Sequence, residues 1–287
     1  MLSLTTLILV AAVVSISVHK ASATCGDGVP NNGEYVFPAG TISIQAGAWQ
    51  GCHTIRSVTF PASLTTISAY AFKGCFNLTE VIFETGSQLY EIGPYAFQET
   101  VIESFVFPPT VEIIGTHAFF NASSLKTIAF QTPSALASIP NFAFLQCGAL
   151  TAVAIPDSVT SIGEKAFAHA PKLQSLTFGA SSLLTNIGAS AFVDAIMLTA
   201  VELPSTYDPI IDIGLSVQTL AFSGCTALAD VTFSTGCDAG VTLYENAFQN
   251  CAFTELKLPQ NAVSVCVCVC VCMFGSLSLS LRPLCSH

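Results

Sequence analysis

"IGEKAFAHAPKLQSLTF", residues 162–178, carries the pattern that decides the fold. Its Ala166-Phe167 pair recurs at Ala71-Phe72, Ala96-Phe97, Ala118-Phe119, Ala143-Phe144, Ala191-Phe192, Ala221-Phe222 and Ala247-Phe248, and Ala48-Trp49 is a further copy with Trp for Phe. Intervals run from 22 to 26 residues, except for one of 30 between Ala191 and Ala221. Self-similarity at a fixed period is the signature of a stacked repeat, so the period outranks local propensity in reading this chain.

A longer period overlies the first. After each L-x-x-V-x-F run, one class of unit continues through Pro: "FPASLTTI", "FPPTVEII", "IPDSVTSI" and "LPSTYDPI". The other class uses a longer Ser/Thr/Gly link: "FETGSQLYEI", "FQTPSALASI", "FGASSLLTNI" and "FSTGCDAGVTL". The classes alternate strictly, so the full repeat is a pair of about 48 residues. Within one unit, Leu173, Leu176 and Phe178 have the spacing of a short strand with its apolar side chains turned inward. Ile162 and Ala166-Phe167 fall on a short turn or helix, where Phe fills the space between coils and Ala permits close approach. One such unit cannot bury these residues alone, whereas stacked units form a continuous apolar column. The expectation is a solenoid.

The motif A-F-x-x-C-x-x-L-x-x-V-x-F-P-x-S-V-x-x-I-G resembles the leucine-rich repeat of the BspA-like surface proteins. Gly74-Cys75 to Phe83, Cys147 to Ile162 and Gly224-Cys225 to Phe233 carry it best, and the resemblance spans Ile42 to Val265. It implies an α/β repeat fold: a leucine-rich repeat solenoid of short stacked parallel strands with short helices or turns, in one curved domain of about nine units over residues 42–265. It also implies a secreted or surface-displayed protein that binds or adheres without catalysis. The motif specifies a fold and says little of chemistry.

Residues 1–23 read as a cleaved signal peptide, with an apolar run from Leu7 to Val18 and Ala21-Ser22-Ala23 before Thr24; a retained signal anchor is the competing reading. Residues 24–41 are then an N-terminal capping segment. Asn77-Leu78-Thr79 and Asn121-Ala122-Ser123 are glycosylation sequons, a pattern short enough to arise by chance. From Asp27 to Lys257 the chain holds 18 acidic residues and six Lys/Arg, a balance of −12 without a basic stripe, which argues against nucleic acid as a partner.

Cys52, Cys75, Cys147, Cys225 and Cys251 all stand three residues after the repeat's Phe or Trp, where other units place Ala122, Ala170 and Ala195. The position wants a small buried side chain. Cys52/Cys75 and Cys225/Cys251 are candidate disulfides between neighbouring coils; buried thiols are the competing reading. Cys25 and Cys237 lie outside the column. No CxxC pair points to zinc, and no cofactor motif occurs. His169 and Asp194 share one repeat position in adjacent units and resemble part of a catalytic dyad, but that position also holds Gly51, Gly74, Glu99, Asn121, Gln146, Gly224 and Asn250, a pattern of solvated turns. No nucleophile elbow or phosphate-cradling loop accompanies them. The expectation is therefore no enzyme.

A solenoid that binds uses its strand face. Thr59, Glu80, Thr127, Ser175, Thr177, Glu202, Asp230, Thr232, Glu255 and Lys257 are its candidate outward positions, facing a protein or glycan. The competing reading is a structural extracellular or cell-wall component without a discrete ligand.

"PQNAVSV", residues 259–265, still aligns with "PDSVTSI", residues 156–162, but "CVCVCVC" and "SLSLSL" then replace the repeat. Alternating Val-Cys and Ser-Leu are what GT and CT dinucleotide tracts encode, so residues 266–287 read as non-native gene-model sequence. Two other readings compete. Ala262 to Leu281 has the length and apolarity of a membrane span, the one route by which a membrane would become a partner. Cys266, Cys268, Cys270 and Cys272 on one strand face could hold a soft metal.

Overall fold

The computed structural model describes residues 19–21, 32–204, 214–234, 241–253, 255–258, 264–265 and 278–281. Each coil contributes a long strand at the L-x-x-V-x-F run and a short strand at the following Ile. In the coil of the opening stretch these are Ser161–Ile162 and Ser175–Phe178. All pairings join like strands of successive coils in parallel: Ala152 to Ile155 pairs one-to-one with Ser175 to Phe178, and Ile162 pairs with Ile139 before it and Ile187 after it. The result is a parallel β-solenoid in which two ladders enclose a shared core.

The core is one column. Ile162, Ala166, Phe167, Ala170 and Leu173 are fully buried, as are their counterparts in neighbouring coils. From Phe72 to Phe248 the rings stack coil upon coil, with centroids 5.1–5.4 Å apart and planes within 15°. That spacing follows from the strand separation of about 4.8 Å, which brings a ring at a fixed repeat position against its copy in the next coil. Stacked aromatic pairs add about 0.5–1.5 kcal/mol each beyond their burial. Trp49 lies over Phe72 at 6.4 Å and caps the row toward Tyr35 and Phe37.

The expected short helices do not form: among the described residues there is no helix, and each Ala-Phe segment is a turn. The Phe amide donates to the Ala carbonyl of the next coil, at 2.8 Å from Phe144 to Ala166 and from Phe167 to Ala191. A helix would need that amide within its own coil. Residues on both sides also have left-handed φ: Lys165 (51°) and His169 (56°), Tyr95 (58°) and Glu99 (58°), Ser190 (56°) and Asp194 (61°). Two left-handed residues so close together exclude a right-handed helical turn. The α/β expectation is therefore corrected to an all-strand solenoid.

Link length explains the 48-residue period. Ile67 and Ile114 stand seven positions after Phe60 and Phe107, and Ile92 and Ile139 stand nine positions after Phe83 and Phe130. In the short Pro class the strand-end residue is buried, as at Phe60, Phe107, Ile155 and Leu203. In the longer class Phe83, Phe130 and Phe178 are only half-buried against the core. The 30-residue interval is an insertion in one link. Val217 takes the inward place after Ile187, where the sequence pattern suggested Ile210.

Glu34–Val36, within the segment assigned to capping, already pairs as a repeat strand, as does Thr41–Ile44 at its boundary with the repeats, and His19–Ala21, from the segment read as a leader, pairs with Thr41–Ile44. At the other end Leu243 pairs with Val265, the last residue in sequence register, and Ser278–Leu281 pairs with Glu255–Leu258. The four alternating cysteines of the tail lie outside the described residues. No helix among the described residues is long and apolar enough to cross a membrane, but most of 262–281 falls outside them.

Candidate functional site

Parallel register arranges the outward residues of the long strands in two rows. One runs through pairs such as Ser57 with Glu80, Ser104 with Thr127, Ala152 with Ser175 and Ala200 with Asp230. The other joins Thr59 with Ile82, Val106 with Ala129, Ala154 with Thr177 and Glu202 with Thr232. Glu80, Thr127, Ser175, Thr177, Glu202, Asp230 and Thr232 are exposed and Thr59 is partly covered. The side chains of Glu255 and Lys257 lie outside the described residues. Part of this face is apolar: Val36, Ile82 and Val106 are 64%, 41% and 45% exposed, and of these Val36 was not expected from the sequence. A hollow of about 820 Å³ crosses the strands Ser175–Phe178, Ala200–Leu203 and Asp230–Phe233.

The cysteines behave as core residues. Cys75, Cys147, Cys225 and Cys251 are buried thiols, and each Sγ donates to the carbonyl of the aromatic residue one coil back: Trp49 (3.0 Å), Phe119 (3.2 Å), Phe192 (3.3 Å) and Phe222 (3.3 Å). The candidate pairings Cys52/Cys75 and Cys225/Cys251 are therefore corrected. In-register side chains in parallel coils point the same way, each thiol toward a backbone carbonyl and none toward its neighbour. Cys52 is disulfide-bonded; Cys25 and Cys237 lie outside the described residues. Burial pushes the thiols of Cys75, Cys147 and Cys225 up to about 12, so none is a thiolate at neutral pH.

His169 Nδ1 and Asp194 Oδ2 meet at 3.0 Å, as their shared repeat position suggested, with both side chains about half exposed. The buried thiol near them is Cys225, and the Asp194 charge adds to the burial that holds it protonated. The pair therefore has no activated nucleophile in Cys225. Among the described residues no group of three or more His, Cys, Asp or Glu could hold a metal ion.

The sequence reading overlooked a second surface feature, although its residues share one repeat position, two before the Phe. Tyr70, Tyr95, His117 and Phe142 stack in series, with centroids 4.7–5.0 Å apart, and Lys73 and Lys165 lie over its terminal rings. Their ring faces cover one another, so the row offers edges to solvent. His117 sits between two rings, and burial lowers its pKa.

The model of the BspA type leucine rich repeat region matches in six copies, over residues 28–133, 90–213 and 210–267. The chain belongs to the BspA-type leucine-rich repeat family. Among solved structures it is similar to a leucine-rich repeat protein from Bacteroides ovatus, with 20% identity and a TM-score of 0.46, covering 88% of this chain and 81% of that one. It is also similar to a leucine-rich repeat protein from T. pallidum, with 21% identity, a TM-score of 0.39 and 77% of each chain covered. The pneumococcal vaccine antigen PcpA aligns at 17% identity and a TM-score of 0.36, over 83% of this chain and 74% of that one. No curated protein matches. Within this BspA-type chain, the long-strand face is the surface built from outward-facing residues of successive coils.

Proposed function

We propose that this BspA-type solenoid is a secreted or cell-surface protein that binds a protein or glycan across its long-strand face without catalysing a reaction. The observation that carries this reading is the pair of rows on that face: outward residues, small, hydroxylated, aliphatic or acidic, stand in register and exposed over runs of successive coils, the longest from Ser104–Phe107 to Ser175–Phe178. Contacts spread over many coils can add through multivalency where each is weak. The apolar run Leu7 to Val18 before Ala21-Ser22-Ala23 supports a secretory route. Asn77 and Asn121 are both exposed, as glycan acceptors must be; Asn77 Nδ2 also donates to the His53 carbonyl at 2.6 Å.

A purely structural role is the second reading. It is favoured by the lack of an aromatic side chain among the described outward positions of the face, since aromatic anchors dominate tight interfaces. Capture of a component from a matrix or cell-surface extract separates the two. Saturable capture lost on substituting Thr127 and Thr177 supports binding, and absence of saturable capture supports the structural role.

A further inference from the structure

The long-strand face is not uniform along its length. Near its middle, Glu103 is paired with Lys126 at 2.8 Å. Across the hollow of about 820 Å³ the charges are of one sign: Glu202 and Asp230 line it, and no Lys, Arg or His does. Both carboxylates are exposed, and neither joins an ion pair among the described residues. Ala180 and Ala200 add little bulk to its lining, and the Asp157 carboxylate packs against Gly179 at its margin.

The spacing of the carboxylates is fixed by the ladder. Ala200 pairs with Asp230 and Glu202 with Thr232, so Glu202 and Asp230 occupy diagonal sites on adjacent strands. A strand separation of about 4.8 Å and a rise of about 3.3 Å per residue put their Cα atoms roughly 8 Å apart. Side chains two residues apart on an extended peptide lie about 6.7 Å apart on one face. Flexible Lys or Arg side chains at that spacing span the remaining difference. The hydroxyls of Ser175, Thr177, Thr199 and Thr232 line the same hollow and suit the amide groups of such a peptide.

We propose that this hollow docks an extended peptide segment carrying two basic side chains at positions i and i+2, one against Glu202 and one against Asp230. The inference rests on the binding reading of the long-strand face and gives it a partner chemistry. Because the carboxylates are exposed, the interaction is salt-sensitive and modest in strength.

The test is a fluorescence-anisotropy titration of the full chain with a labelled Ser-Lys-Ser-Lys-Ser peptide, its Ser-Glu-Ser-Glu-Ser analogue and a labelled neutral oligosaccharide. Saturable binding of the lysine peptide alone is expected, weakened about tenfold in E202Q/D230N and weakened by added salt. E112Q/E245Q makes the same charge change at exposed carboxylates away from the long-strand face and is expected to bind within about twofold of the parent. Circular dichroism confirms that each variant folds. Lack of saturable lysine-peptide binding, equal loss in both double variants, or binding of the oligosaccharide alone overturns the proposal. If the lysine peptide fails while strand-face substitutions still abolish extract capture, this inference falls and the binding reading stands.

Discussion

At the scale of the residue, the repeat position three after Phe shows what a buried cysteine does in this fold. Its Sγ replaces the methyl of Ala122, Ala170 or Ala195 and adds a weak donor to a backbone carbonyl. The spacing alone made its burial legible, because Ala occupies the same place in sister coils. Its bonding state was not legible, since whether two thiols meet depends on side-chain direction, which parallel register sets. The raised thiol pKa gives a pH prediction. The unfolded chain loses these protons above its ordinary thiol pKa of 9.0, whereas the folded chain holds Cys75, Cys147 and Cys225 protonated to about 12. Stability should therefore be unaffected by these thiols below pH 9 and fall between pH 9 and 12, by up to about 1.4 kcal/mol per pH unit for each thiol. Denaturant melts of the parent and of Cys147→Ala check this. The variant should lose less stability over that range, and an identical slope would contradict the assignment.

At the scale of the element, the Ala-Phe turn is where the sequence misled. Its apolar spacing suits a short helix, and the residues that prevent one are Tyr70, Tyr95, His117, Phe142 and Lys165, none of which advertises a left-handed backbone. The solenoid holds them there by spending the Phe amide on the next coil, and ring stacking helps at the four aromatic positions. Ser190 has the same backbone conformation, φ 56°, without a ring contact. Ser190→Gly should therefore stabilise the protein by up to about 1 kcal/mol, and Ser190→Val should destabilise it by about 1–3 kcal/mol, because a β-branched residue is poorly accommodated there. Equal midpoints in thermal or urea unfolding would show that this backbone is not left-handed.

At the scale of the molecule, the fold is quasi-one-dimensional: each coil packs on its two neighbours, so stability is a sum over coils and their interfaces. The alternation of links of seven and nine positions makes the pair of coils the natural unit. Deleting residues 119–166 removes one pair and joins Ala118 to Phe167 with the alternation intact. That deletion should give a folded, shorter solenoid, reduced by two coil spacings or about 10 Å in small-angle scattering. Removing residues 119–143 places two links of one class side by side and should cost more stability per residue removed. The repeat and strand positions were legible because their period is strict. Glu202 and Asp230 were legible as outward positions of neighbouring coils, but the hollow around them was not, because its volume depends on how three strands and the links after them pack.

The measurement that bears most directly on the central claim is a binding isotherm for capture from a matrix or cell-surface extract, made with two charge-matched variants. Thr127→Arg/Thr177→Arg alters the long-strand face, and Ser138→Arg/Ser161→Arg alters the short-strand face. If the long-strand face is the contact surface, capture is saturable in the parent, falls at least about tenfold in the first variant and persists in the second. Equal capture by both variants, or equal loss in both, would contradict it.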